Sequence, residues 1–385
     1  MAEVMMVQGL GFGDEGKGTC VDAICRQEKI DLVVRFGGGA QCGHNVVLPD
    51  GRHHCFSQFG SGTLAGASTY LSRFVMINPR ALLNEARALE ALGVRDPLGL
   101  DLMIDEEALI TTPLHSAMNK LHETQRGKAR HGSCGMGIGE TRAFALEFPE
   151  LALRAKDLLD EHAAREKIGA LRAHYDAKGI VFALDDETML APMLEVGRRV
   201  QILPQSALTN LLLLPSKIIF EGHQGVLLDQ DHGVTPPHVT WSDCTFNNAN
   251  ALLAGAERDV QVRRLGVMRT YMTRHGAGPL PTEIFCKNGD EYNPTNPWQG
   301  AFREGLLDLP LLRYARRMIG PLDGLCVTHC DAIEDRNTLV AENGQGQRQI
   351  RTATREEFLP LIAEQLQTPI VMTSSGKTWK DKTFL

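Results

Sequence analysis

The chain predicts an α/β fold with a largely parallel central sheet flanked by helices, and three observations carry that expectation. Residues Glu3 to Leu10 are mostly apolar, lead straight into GFGDEGKGT (Gly11 to Thr19) and are followed by VDAICRQ, giving the order strand, glycine loop, helix. A second apolar stretch, Asp31 to Phe36, ends in GGGAQCGHN (Gly37 to Asn45), so two strands deliver flexible loops towards one sheet edge. Later apolar segments, KIIF (Lys217 to Phe220), LGVMRTYM, GLCVTHC and PIVMTSS, each end near polar or glycine-bearing loops and are separated by helical patterns, as in a parallel sheet.

The intervening segments fit this frame. From about Ser72 to Ile110 helical and extended patterns alternate; INPRALLNEARALEALG has apolar residues at helical spacing, with Gly93 as its stop. After HGSCGMGIGE, residues 151–214 are rich in Ala, Leu, Glu and Arg and poor in glycine, which predicts a helix-rich insertion. No repeat, low-complexity tract or linker interrupts residues 1–385, so one large domain is expected. Ligands of such sheets gather beyond the carboxyl ends of the strands, where the glycine loops lie.

With 385 residues, 43% hydrophobic and 23% charged, the chain can bury a substantial core. A net charge of −7 and a pI near 6.0 argue against a general nucleic-acid binder, which presents a basic surface to phosphates. The nine cysteines are scattered, odd in number and free of C-x-x-C pairs, so they read as reduced thiols of a cytosolic protein. No basic N-terminal region precedes a long apolar run, and no stretch of about 18 apolar residues occurs, so neither export nor a membrane span is expected.

The chemistry concentrates in the first loop. Gly11, Gly16 and Lys17 keep the spacing of the phosphate-loop pattern G-x-x-x-x-G-K-[ST], but Gly18 stands where the magnesium-binding hydroxyl belongs. Glycines at 11, 13, 16 and 18 let backbone N–H groups face phosphate oxygens at a helix start. Asp14 and Glu15 place two carboxylates in a loop built for anions, which is unfavourable unless a cation is shared or one carboxylate has a chemical task. Taken singly, this loop also reads as a glycine turn, His44 as a structural histidine and Asp331 as a turn former.

Taken together, GFGDEGKG, GGGAQCGHN, FEGHQGVLLDQDHG, RHGAGPLPTE, VTHCD and TSSG, in this order and over nearly the whole chain, resemble adenylosuccinate synthetases. The resemblance implies a fold related to phosphate-loop NTPases, a homodimer, and a magnesium-dependent reaction in which inosinate, L-aspartate and GTP give adenylosuccinate, GDP and phosphate. A 6-oxopurine carbonyl is amide-like and a poor electrophile, so phosphorylation must first supply a leaving group. By resemblance, Asp14 takes the N1 proton of the purine while O6 attacks the γ-phosphate, and it also contacts Mg2+. His44 assists as an acid, Lys17 and the loop residues Gly13, Glu15, Gly16, Gly18 and Thr19 hold phosphates, and the Gly43 carbonyl is a second metal ligand. Gln41, Ser133, Cys134, Gln224 and Thr240 match the purine-nucleotide side, Asp331 the aspartate that reads guanine, and Ser374, Ser375 and Gly376 the segment closing over that base.

The departures are local. Where the ordinary bacterial enzyme grips aspartate with an arginine-rich loop, this chain reads NPTNPWQGAFREGLLD, leaving Arg303, with Thr295, Asn296 and Gln299 as further candidates. Gln41 stands where Asn is usual, SCGMGIG replaces TTGRGIG, His329 stands where lysine is common, and Lys377 replaces a proline. The arginine that normally crosses from the partner subunit has no secure counterpart, although Arg142 is close. Two alternatives follow: a paralogue that uses guanylate or deoxyguanylate to make 2-amino-(deoxy)adenylosuccinate with ATP or GTP, and a purine-nucleotide-binding switch without catalysis. Retained Asp14 and His44 speak against the switch, since a pure binder needs neither.

Overall fold

The computed structural model describes residues 2–256, 260–285, 291–293, 295 and 297–385. Its largest sheet has ten strands in the order Lys382–Phe384, Ile370–Ser374, Gly324–Thr328, Val260–Arg269, Ala2–Gly9, Lys217–Gly225, Leu32–Arg35, Ser68–Leu71, Leu102–Asp105 and Gln201–Leu203. Every neighbouring pair is parallel except the first, where Lys382–Phe384 turns back along Ile370–Ser374. The chain starts in the middle, builds outward on one side, returns through Lys217–Gly225 beside its first strand, and then builds the other side. The reversal puts a crevice at the carboxyl ends of the central strands.

The central strands are apolar on both faces because helices cover both. Side chains alternate across the sheet: Val4, Met6, Val34 and Phe220 enter one core with the Leu309–Ile319 and Arg355–Leu366 helices. Met5, Val7, Val33 and Ile219 enter another with Cys20, Val21 and Ile24 of the Lys17–Glu28 helix. A third core gathers residues between Val46 and Val200, including the helices Pro79–Ala91, Glu161–Ala177 and Asp186–Arg199.

Residues 151–214 carry the helices Glu161–Ala177, Asp186–Arg199 and Gln205–Leu213 and also supply Gln201–Leu203, the sheet's edge strand, too short to show a periodicity. One local expectation is corrected. The strand beginning at Lys217 does not stop at Phe220 but continues through EGHQG to Gly225, paired to Ala2–Gly9 with a register shift between Val7 and Gly9. Among the described residues no helix is long and apolar enough to cross a membrane, and the eight described cysteines are all free.

Candidate active site

The loops leaving the central strands enclose one cavity of about 1470 Å3, larger than a single drug-sized ligand needs (up to ~1,000 Å3) and sufficient for several. Gly13, Asp14, Glu15, Gly16, Lys17, Gly18, Thr19, Gln41, Gly43, His44, Ser133, Cys134, Gln224, Thr240, Gln299, Asp331, Ser374 and Gly376 all line it. Ser375, Thr295 and Arg303 do not, and Asn296 lies outside the described residues.

The phosphate loop resolves the puzzle of its two carboxylates. Gly16 caps the helix in a left-handed conformation (φ 86°), so the helix starts at Lys17 with its first N–H groups open to the cavity. Glu15 turns inward, accepting hydrogen bonds from Gly11 N (3.0 Å) and Gly13 N (2.8 Å) and pairing with Lys17 Nζ at 2.7 Å. It therefore organises the loop and supplies the lysine's counter-charge. A β-carbon at Gly9 would lie 2.3 Å from this carboxylate, which accounts for that glycine. Asp14, itself left-handed (φ 59°), lines the cavity, and its carboxylate accepts no hydrogen bond from the described residues. Burial raises its pKa, while the charges of Arg269, His275 and Lys17 oppose the rise.

His44 opens a short strand, His44–Val47, rather than sitting within the glycine loop. Its Nδ1 lies 2.5 Å from Glu221 Oε1, and the same buried carboxylate accepts from Ser61 N (2.9 Å) and the Ser61 hydroxyl and lies 3.8 Å from Arg35. Glu221 thereby fixes the tautomer with the proton on Nδ1 and leaves Nε2 as the second working nitrogen. Burial and the Arg35 charge push His44 down to about 4 against the pull of Glu221. Despite burial, Arg35, His44 and Ser61 hold Glu221 down to about 2.

Around this centre the remaining residues fall into two groups. Thr19 donates through Oγ1 to Lys377 O (3.1 Å), close to Ser374, Gly376 and Asp331 at one end. At the other, Ser133 Oγ donates to Asn119 Oδ1 (2.8 Å), and burial pushes the Cys134 thiol up to about 11. Gln41 Oε1 and Gln224 Oε1 are buried without a hydrogen-bond partner among the described residues, and both side chains line the cavity. Arg303 is engaged elsewhere: its guanidinium donates to Gly276 O (2.7 and 3.1 Å) and Gly278 O (2.6 Å) and pairs with Glu283 at 2.7 Å. Sequence reasoning passed over Glu221, Arg35, Arg269 and His275. Glu221 was legible, since it stands inside FEGHQG, and Arg269 showed only as a charge ending an apolar run.

Among the described residues no cluster of three His, Cys, Asp or Glu side chains could hold a metal ion. Magnesium does not need one, because it is commonly bound through one or two carboxylates plus substrate phosphates and water. The Asp14 carboxylate, without a donor among the described residues, and the Gly43 carbonyl on the lining of the same cavity fit that demand.

Fold and site together define a nucleotide-dependent enzyme of the phosphate-loop-related α/β class. The profile of the adenylosuccinate synthetase family matches residues 6–383. The chain belongs to that family, whose members are ligases joining aspartate to a purine nucleotide at the expense of a nucleoside triphosphate, with magnesium. It is 32% identical over 403 residues to the adenylosuccinate synthetase of Neisseria meningitidis serogroup C (strain 053442), covering 100% of this chain and 89% of that one. Over 348 residues it is 33% identical to that of Mycolicibacterium paratuberculosis, covering 86% of this chain and 77% of that one. The structure of fully ligated adenylosuccinate synthetase from Plasmodium falciparum matches with a TM-score of 0.86 at 21% identity over 100% of both chains. The cyanophage S-2L succinoaminodeoxyadenylate synthetase, bound to dGMP and to dATP as an energy donor, matches with a TM-score of 0.68 at 16% identity over 100% of this chain and 95% of that one.

Proposed function

We propose that the protein joins L-aspartate to C6 of inosinate, with GTP as donor, through a 6-phosphoryl intermediate. The observation that carries this reading is the Asp14 carboxylate, held in a left-handed turn on the cavity lining beside Lys17, with no hydrogen-bond donor among the described residues. A binding switch has no use for such a group, whereas a base must keep its lone pairs for the substrate proton. Asp14 accepts the N1 proton as O6 forms its bond to the γ-phosphorus and GDP leaves. The aspartate amine then attacks C6, phosphate departs, and the amine gives up a proton. Lys17 exchanges Glu15 for phosphate oxygens, and His44, protonated once those charges are bound, donates from Nε2 with Glu221 behind it. Magnesium, held by Asp14 and the Gly43 carbonyl, would neutralise charge on the phosphates.

Asp331, Ser374 and Gly376 at one end of the cavity support a guanine donor. Leu146 and Trp241, 60% and 53% exposed at the cavity rim, support a homodimer closed over this face. A second reading, guanylate or deoxyguanylate as acceptor, is favoured by the oxygens of Gln41 and Gln224, which have no hydrogen-bond partner among the described residues, because guanine adds a 2-amino donor. Inosinate, deoxyinosinate, guanylate and deoxyguanylate, each with aspartate and either GTP or ATP, followed by mass spectrometry, discriminate these readings. Adenylosuccinate from inosinate and GTP is expected; no succinylated product from any combination would remove the ligase assignment for this chain.

A further inference from the structure

Three consecutive carbonyls of the phosphate loop are held from behind by side chains of neighbouring strands. Thr273 Oγ1 lies 3.5 Å from Gly13 O, Arg269 donates Nε–H to Asp14 O, and Thr328 Oγ1 donates to Glu15 O at 2.7 Å. Arg269 and Thr328 are register partners at the ends of adjacent strands, so the sheet itself sets their spacing. The guanidinium is 5% exposed, lies about equally over the rings of Tyr271 and Phe302 (5.5 Å to each), and donates through Nη1 to Tyr271 Oη at 3.0 Å. Such a clamp turns the carbonyls away from the cavity and keeps Asp14 in a left-handed conformation that residues with a β-carbon disfavour.

We propose that Arg269 is a positioning residue of the ligase reaction: by holding the Asp14 carbonyl it locks the turn that delivers the Asp14 carboxylate to the cavity. This rests on the reading of Asp14 as the base. A planar guanidinium is needed because it donates in-plane to the carbonyl while its faces pack on the two rings; a lysine ammonium has the charge but neither the plane nor an Nε–H. Losing the clamp misplaces the carboxylate without removing a substrate contact, and displacements of about 1 Å cost on the order of 10²-fold in rate.

The test compares Arg269→Lys, Arg269→Ala and Thr328→Val with Asp14→Asn, alone and combined, in full-length protein with saturating substrates. The Arg269 variants are expected to lose kcat about 10²-fold while the KM values of both nucleotides move less than roughly threefold. Free guanidinium ion should restore part of the Arg269→Ala rate, which it would not do if the arginine served only folding. In the Asp14→Asn background, Arg269→Lys should add almost nothing, since its function is already gone. If Arg269→Ala does not fold, Arg269→Lys and Thr328→Val read the same clamp. Wild-type kcat in Arg269→Lys, or full additivity with an inactive Asp14→Asn, overturns this proposal and leaves the base in place; wild-type turnover in Asp14→Asn overturns the reading of the base itself.

Discussion

The wall of the cavity that carries Gly11 to Thr19 and the wall that carries Ser133 to Gly139 face one space but are built by different means. On the first, Glu15, Lys17, His44 and Glu221 are at most 6% exposed; Glu15 pairs with Lys17, and His44 pairs with Glu221 of the central sheet. On the second, the loop leans on the Pro113–Arg126 helix through single side chains. Asn119 accepts from Ser133 Oγ and Gly137 N (2.8 and 3.3 Å), and Glu123 accepts from Gly132 N and Arg126 (3.0 and 2.6 Å). Rigid strand ends suit groups that must act at a fixed distance, since small displacements there are costly. Loops resting on helices suit recognition, because they can change without unsettling the sheet. Of the departures from the family pattern, Cys134 and Met136 fall on the second kind of wall, while Gln41, His329 and Lys377 line the cavity elsewhere.

The largest effect is expected on the first wall. Asp14→Asn keeps the size of the side chain but cannot accept the N1 proton, and loss of a general base costs about 10²–10⁴-fold. Steady-state rates together with nucleotide-binding measurements check this; retention of more than roughly a tenth of the wild-type rate, outside that range, would mean that the rigid wall does not supply the base.

Arg303 belongs to neither wall and tests whether a residue outside the cavity lining grips substrate. With its guanidinium bonded to Gly276 and Gly278 carbonyls, Arg303→Ala is expected to lower stability by about 1–3 kcal/mol through lost charge-assisted hydrogen bonds, discounted for the partly exposed Glu283 contact. The KM for aspartate should shift only through loosening of the Gly276 loop. An aspartate KM raised ~10- to 150-fold with stability unchanged would instead place the arginine on the substrate carboxylate.

The smallest effect concerns His115, buried beneath the second wall, where Nδ1 accepts from Thr112 N at 3.0 Å and Gly137 packs on the His115 backbone. Burial pushes His115 down to about 3 from an ordinary value of 6.5. Its folded pKa is therefore the lower one. Between the two values the unfolded chain holds the extra proton, so stability is complete above about 6.5 and is lost as pH falls, by at most about 1.4 kcal/mol per unit for one proton. His44 on the first wall acts in the same direction, so denaturation of wild type and His115→Asn across pH 7 to 5 is compared. A flatter slope in the variant is expected, and equal slopes would assign the pH dependence elsewhere.

What was legible in the sequence is what adjacent residues enforce. The glycine spacing around Lys17 announces a strand, loop and helix start because each depends on neighbours a few residues away, and the order of six short motifs was enough to indicate the family. Tertiary structure decided how the pieces meet. Glu221 reaches His44 across 177 positions, Arg269 reaches Asp14 across 255, and Thr328 reaches Glu15 across 313. Those contacts exist because the sheet inserts Lys217–Gly225 and Val260–Arg269 on either side of the first strand. The inward turn of Glu15 and the outward turn of Asp14, alike as carboxylates in the sequence, follow from that order: one meets Lys17 and two backbone N–H groups, while the other has its carbonyl held from behind and its carboxylate left to the cavity.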